Sequence, residues 1–207
     1  MSRKNLFIAF EGIDGSGKST QVKLLSEKLQ ATGHKVHATF EPTDSQIGKM
    51  IRTIFSGKME ADHKVIAALF AADRLDHLLN KTNGILKMIE EGYTVITDRY
   101  YFSSYAYHSV YMPMDWVIET NRLSAELLRP DINIYINISP EESMKRIAKG
   151  RTTTELYETL ENLTNVSNTY LQAFDKMKNI EKIKFINGER NETEIAADIW
   201  NNVSEDF

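Results

Sequence analysis

Two short stretches carry the residues with the clearest chemistry. Gly12-Ile13-Asp14-Gly15-Ser16-Gly17-Lys18-Ser19 matches the pattern G-x-x-x-x-G-K-[ST] in full, and Thr20 continues it into a helical pattern. The glycines let the backbone wrap phosphates and turn N–H groups inward, and a helix start adds positive potential. Lys18 is a point charge for the β- and γ-phosphates of a nucleotide, and the Ser19 hydroxyl can ligate Mg²⁺. The second stretch, Asp98-Arg99-Tyr100, closes the apolar run "YTVIT". Its carboxylate can hold Mg²⁺ directly or through water, and its arginine can fork two phosphate oxygens. Asp14 raises a question of its own, because it puts a negative charge in the middle of an anion-binding loop.

These residues need a frame. Apolar runs at 6–10, 35–39, 93–97, 132–138 and 183–186 alternate with amphipathic helical patterns. Strands alternating with helices predict crossover units and a mainly parallel sheet, an α/β architecture. In such sheets, sites form at the carboxyl ends of strands, so Asp98 and Arg99 should face the same crevice as the glycine-rich loop. Helix starts are legible at Ser139-Pro140-Glu141-Glu142, which reads as an N-cap, a first-turn proline and a capping-box glutamate, and at Asn191 with Glu194. "ATG" (31–33) should end the first helix at its glycine. No linker or internal repeat interrupts the pattern, so residues 1–207 are expected to form one domain. Residues 149–157, "KGRTTTELY", read as a loop with a job, a short lid.

The chain has 207 residues, 42% hydrophobic and 26% charged, with a formal net charge of −4. That acidic balance argues against a general nucleic-acid or anionic-membrane binder, so an anionic ligand must be met by local arginines and lysines. There is no cysteine, which removes disulfides and thiolate metal sites. Glu11 interrupts the first apolar run too early for a secretory signal, and no later stretch could span a bilayer. The expected location is the cytoplasm.

The helical pattern 62–80 separates two faces at ~100° per residue. Val65, Ala68, Leu69, Ala72, Leu75 and Leu79 form one apolar stripe, while Phe70 falls about 160° from Ala72 with Arg74 one turn further along its own side. Small Ala67 and Ala71 flank them and leave room for a flat ligand, which Phe70 could stack while Arg74 hydrogen-bonds its edge. Arg52, Arg146, Lys149 and Arg151 are further cations that could reach an anion, the last two from the lid. Each of these cations reads equally as part of a solvated face. "NKTN" (80–83) lacks the carboxylate that would read a guanine edge and is taken as surface.

"FEGIDGSGKSTQ", "FEPTDSQIGKMIR", "LFAADRLDHL" and "DRYYFSSYAY" occur in this order, and on them the chain resembles the thymidylate kinases from end to end. The resemblance implies a three-layer α/β/α P-loop kinase fold with a five-stranded parallel sheet and a short lid, and a homodimer. It implies transfer of the γ-phosphoryl group of ATP to dTMP with Mg²⁺, giving dTDP for dTTP synthesis, with small-molecule nucleotides as partners rather than nucleic acid or membrane. On this resemblance Lys18 and the loop amides hold the ATP phosphates, and Asp14 reaches toward the sugar 3′-hydroxyl and phosphate of the acceptor. Arg99 and Arg52 match arginines on the acceptor phosphate, and Phe70 and Arg74 the pair that reads the thymine. Ser104 and Tyr107 match the wall of the base and sugar pocket, and Arg146 the arginine against the adenine. The chain departs from its relatives at Phe40, where an arginine usually precedes Glu41-Pro42, and at His108, where an amide usually follows the pocket tyrosine.

Two other readings are open at this stage. In a deoxynucleoside kinase the acceptor is a neutral 5′-hydroxyl and a base is required, for which Glu41 of the Glu41-Pro42 pair could serve. Against this, "DRY" follows the third strand and Asp14 occupies the loop. A catalytically silent nucleotide-binding module is the other, and the intact set of Lys18, Ser19, Asp98 and Arg99 argues against it.

Overall fold

The computed structural model describes residues 5–150 and 156–207. Five strands, β1 (Phe7–Glu11), β2 (Val36–Phe40), β3 (Thr94–Asp98), β4 (Ile132–Asn137) and β5 (Ile183–Asn187), form one sheet in the order β2-β3-β1-β4-β5. Every neighbouring pair is parallel. Strand β1 is buried along its whole length, as expected of a central parallel strand covered on both faces.

Alternate residues of β1 feed two cores. Ile8 and Phe10 face α1 (Lys18–Ala31) and α10 (Glu192–Val203), packing with Leu25, Leu29, Ile195 and Ile199. Phe7 and Ala9 face the other side, where α5 (Tyr101–His108) and α9 (Leu160–Met177) supply Tyr101, Tyr105, Tyr170 and Phe174. The layers are therefore helix, sheet, helix. Helices α2 (Gln46–Phe55) and α3 (His63–Leu79) pair through Ile51, Ile54, Ile66 and Phe70. Short helices α4 (Ile85–Glu90), α6 (Met114–Thr120) and α7 (Arg122–Leu127) complete that side, and α8 (Pro140–Gly150) follows β4.

The expected caps hold in part. Asn191 and Glu194 form the full capping box of α10. At α8 the Ser139 hydroxyl accepts from the Glu142 N–H at 3.4 Å, but the box is not closed by Glu142. Glu189 takes the Ser139 N–H at 2.8 Å instead, and Glu142 turns to Arg146. Helix α1 stops at Ala31, and Gly33 follows in the left-handed region at φ 86°. The lid boundary also shifts, because Lys149 and Gly150 belong to the last turn of α8. Arg151, named above as a lid cation, lies outside the described residues.

Helix α3 buries the face that carries Phe70 and Arg74. The buried side is Ile66, Ala67, Phe70, Ala71, Asp73, Arg74, His77 and Leu78. The apolar stripe stands outward, with Val65 49% and Leu79 54% exposed. The inward face carries the polar residues because a site is built there, which the periodicity alone does not reveal.

Candidate active site

Register brings the two stretches together. Phe10 of β1 pairs with Asp98 of β3, and the Arg99 N–H donates to the Phe10 carbonyl at 2.9 Å. Glu41, at the end of β2, donates its N–H to the Asp98 carbonyl at 3.0 Å. The carboxyl ends of β1, β3 and β2 therefore open on one crevice, beside the point where the chain switches from one side of β1 to the other.

In the glycine-rich loop, Gly12 adopts φ 146°, and a Cβ there would meet the Ile136 carbonyl oxygen at 2.8 Å, so only glycine fits. Lys18 folds back over its own loop, donating to the Gly12 and Ile13 carbonyls at 3.0 Å each and to the Ser16 hydroxyl at 3.4 Å. Burial first, then repulsion from Arg99, pushes the Lys18 ammonium down to about 8 against the pull of Asp98, Asp14 and Glu11. A polyanion arriving at the loop would raise it again.

Arg99 is the hub of the second stretch. It is a non-glycine residue at φ 75°, a conformation costing on the order of 1–3 kcal/mol unless its surroundings impose it. Its guanidinium donates to the Gly12 carbonyl at 3.2 Å, the Ser103 hydroxyl at 3.0 Å and an Asp14 carboxylate oxygen at 2.5 Å. It also lies over the Tyr107 ring, 4.9 Å from the centroid. Burial works to raise the Asp14 carboxyl, but the Arg99 and Lys18 charges and the Tyr107 hydroxyl hold it below its ordinary value. Behind Arg99, the fully buried Glu11 accepts from the Tyr100 N–H at 2.9 Å, the Ser103 hydroxyl at 2.6 Å and the Tyr170 hydroxyl at 3.0 Å. Burial pushes its carboxyl up to about 7 although all these donors and the Arg99 charge pull it down.

Two cavities meet here. One, of about 660 Å³, is lined by Gly15, Gly17, Lys18, Ser19 and Thr20, with Asp98 and Glu41 across from them and Arg146 at its margin. The other, of about 760 Å³, is lined by Phe70, Ser104, Tyr107 and His108, with Arg52 at one side. Asp14, Phe40 and Arg99 line both. Gly12, Ile13 and Ser16 line neither cavity, and neither does the exposed Lys149.

Ser19 donates to one Asp98 carboxylate oxygen at 2.5 Å, while the other is buried without a hydrogen-bond partner. A hydroxyl beside an unsatisfied carboxylate oxygen is the hard-oxygen donor set that suits Mg²⁺, an ion usually held by one or two carboxylates plus substrate phosphates. Among the described residues no cluster of three or more His, Cys, Asp or Glu side chains forms a dedicated metal cage.

The second cavity has a flat, aromatic lining. Phe70 contacts the His108 ring at 5.2 Å and Phe55 at 5.8 Å. Burial, then the Arg74 and His63 charges, push the His108 imidazole down to about 3, so it is neutral at pH 7. Arg74 does not line this cavity. It is fully buried and donates to Glu41, Ser104, Asn121 and the Tyr100 carbonyl. With Nε giving one of these bonds and both terminal nitrogens two each, no N–H is left for a ligand edge. It supports the pocket from behind by fixing Ser104 and Glu41. Arg52 donates to the Pro42 carbonyl at 2.7 Å and to Asp44 at 3.0 Å at the cavity edge.

Sequence reasoning missed Phe40, Phe55 and Tyr157 as lining residues. Tyr157, assigned above to the lid, is buried against Phe55 at 5.3 Å and Tyr107 at 6.0 Å. Only its aromatic type, at the end of a polar segment, could have signalled this.

A parallel sheet in this order, a complete phosphate loop and a second cationic pocket sharing a wall with it define a P-loop kinase that acts on two ligands. The family model described as thymidylate kinase matches residues 10–199. A protein of Pyrococcus horikoshii named "Probable thymidylate kinase" is 38% identical over 192 residues, covering 88% of this chain and 91% of the relative. Proteins with the same name from Methanocaldococcus jannaschii and Thermococcus gammatolerans are 41% and 35% identical, covering 83% and 94% of this chain and 83% and 93% of the relatives. The chain belongs to the thymidylate kinase family, whose members are ATP-dependent nucleoside monophosphate kinases.

Proposed function

We propose that this chain transfers the γ-phosphoryl group of ATP to dTMP, giving dTDP and ADP, as a step toward dTTP. The observation that carries this reading is the wall of Asp14 and Arg99 shared by the two cavities. ATP lies along the loop with its triphosphate under Lys18, and Arg146 flanks its base. dTMP lies in the aromatic cavity with its base on Phe70, its phosphate at Arg99 and Arg52, and its sugar against Tyr107 and Asp14. Ser19 and Asp98 would hold Mg²⁺, which when bound would supply neutralisation of charge on the donor phosphates.

The acceptor is a phosphate monoester whose second pKa is about 6, so at pH 7 its attacking oxygen is already mostly deprotonated. That oxygen bonds to the γ-phosphorus as the bond to the β-γ bridging oxygen breaks, and ADP leaves with the electron pair. No general base is required; Lys18 and Arg99 position the two anions and neutralise charge in a loose transition state. Arg151 and Lys149 are proposed to add charge from a lid near 149–157, within a single domain spanning 1–207.

The deoxynucleoside-kinase alternative gains no support, because both Glu41 oxygens are engaged, one by Arg74 and the other by His77 at 3.1 Å. The exposed stripe of α3 supports the homodimer, since two copies could bury Val65 and Leu79 against each other. Among the described residues no helix is long and apolar enough to cross a membrane, and a cytoplasmic location is proposed with the substrates. The test is ADP release with ATP and a panel of nucleoside monophosphates, with thymidine beside dTMP. Turnover of dTMP above the other monophosphates is expected, and activity with thymidine alone would overturn the assignment.

A further inference from the structure

Arg99 reaches its place by an unusual backbone route. Its φ is 75°, and the peptide that follows must be held for that turn to persist. The Tyr100 N–H ends on Glu11 at 2.9 Å, and the Thr97 hydroxyl donates to the Arg99 carbonyl at 2.9 Å. The side chain has a second constraint. Ser103 has one hydroxyl proton and lies 2.6 Å from Glu11 and 2.9 Å from the Tyr170 hydroxyl; with the Tyr170 proton on Glu11 as well, the shorter contact directs the Ser103 proton to the carboxylate. The Ser103 lone pairs are then free to accept from Arg99 at 3.0 Å. Tyr170 donates to the same carboxylate oxygen at 3.0 Å and closes the arrangement from α9. Glu11 lines neither cavity.

We propose that Glu11 is the positioning residue for Arg99. Its carboxylate holds the left-handed turn through Tyr100 and sets the polarity of Ser103, and together these aim the guanidinium at the acceptor phosphate. The proposal rests on the role given to Arg99 above. Glutamine is the informative replacement, because it keeps the size and breaks the polarity. An amide nitrogen must face either the Tyr100 N–H, donor against donor, or the Ser103 oxygen, which then accepts from position 11, turns its proton toward Tyr170 or Arg99, and competes with the bond it accepts from Arg99.

The test is a double-mutant cycle on kcat. Glu11→Gln is expected to lower kcat about 10- to 100-fold, the scale of a misplacement near 1 Å. In an Arg99→Ala background it should cost less than about twofold further, because coupled residues are not additive. ATP affinity measured by calorimetry should stay within about threefold, since the loop amides and Lys18 are retained. An equal cost in both backgrounds, or a parallel loss of ATP affinity, would overturn the proposal. If Glu11→Gln does not fold, Glu11→Asp, which draws the carboxylate back from Tyr100 and Ser103, enters the same cycle and is read the same way. A crystal structure of whichever variant folds supplies a readout independent of the acceptor. A displaced guanidinium supports the role and an unmoved one refutes it, even if no monophosphate is turned over and the assignment of substrate itself falls.

Discussion

Asp14 and Arg99 form a 2.5 Å ion pair across the wall between the two cavities, with the Asp14 side chain 31% exposed and that of Arg99 14%. The pair answers the question posed by a carboxylate in a phosphate loop. Asp14 lines both cavities, and there its charge is met by the arginine that it tethers. The Tyr107 hydroxyl donates to its other oxygen at 2.9 Å, so the carboxylate is oriented before any ligand arrives.

Arg99→Ala and Lys18→Ala should each lower kcat by on the order of 10²–10⁴, the scale of losing one transition-state charge stabiliser. Steady-state kinetics with ATP and dTMP measure this, and a loss under about tenfold in either would remove that residue from the transition state.

Asp14→Asn should raise the KM for dTMP about tenfold or more, the value of a charged hydrogen bond to the sugar hydroxyl. For an acceptor lacking the 3′-hydroxyl the same substitution should cost less, only what loosening Arg99 costs. Equal losses with both acceptors would confine Asp14 to its pairing with Arg99.

Affinity for ATP should weaken as pH rises through about 8, where the nucleotide-free Lys18 loses its proton. ATP prefers the charged form, so the decline approaches about tenfold per pH unit above that point. Lys18→Met should bind more weakly and show no such slope. The stability of the nucleotide-free protein runs the other way. Between about 8 and 10.5 the unfolded chain holds the Lys18 proton more tightly than the folded one, so this group makes stability rise with pH. Calorimetric titrations and urea melts at pH 7 to 10 check both signs.

Arg74→Leu should destabilise the fold by about 3–5 kcal/mol, because it strands the Glu41 carboxylate, whose side chain is 1% exposed. For a chain of this size that corresponds to a drop in Tm of roughly 10 °C. A loss under about 1 kcal/mol in urea melts would show that Glu41 finds another partner.

Val65→Glu combined with Leu79→Glu should leave the chain monomeric by analytical ultracentrifugation, since charge on both ends of the exposed stripe opposes its burial. A variant that sediments as the unmodified protein does would place any dimer contact on another surface.

The parts of this molecule written in local pattern were legible in its sequence. All five strands, the loop and the first helix follow from continuous apolar runs and from glycines at positive φ. The site residues brought together by register, Lys18, Ser19, Asp98 and Arg99, were legible for the same reason. Helix α3 was not, because periodicity separates an apolar face from a polar one without saying which is buried. Arg74 was misjudged with it, since its partners Glu41, Ser104 and Asn121 come from three distant segments. Glu11 read only as an interruption of the first apolar run, because its partners Tyr100, Ser103 and Tyr170 lie at the start of α5, within it and on α9.

The two sides of α3 give that helix a consequence of its own. Phe70 presents the front of a partition to the aromatic cavity, while Val65 and Leu79 present its back to the outside. Anything lodged against the back, whether a neighbouring copy or a small hydrophobic compound, would press on the nucleobase seat from behind without competing for it.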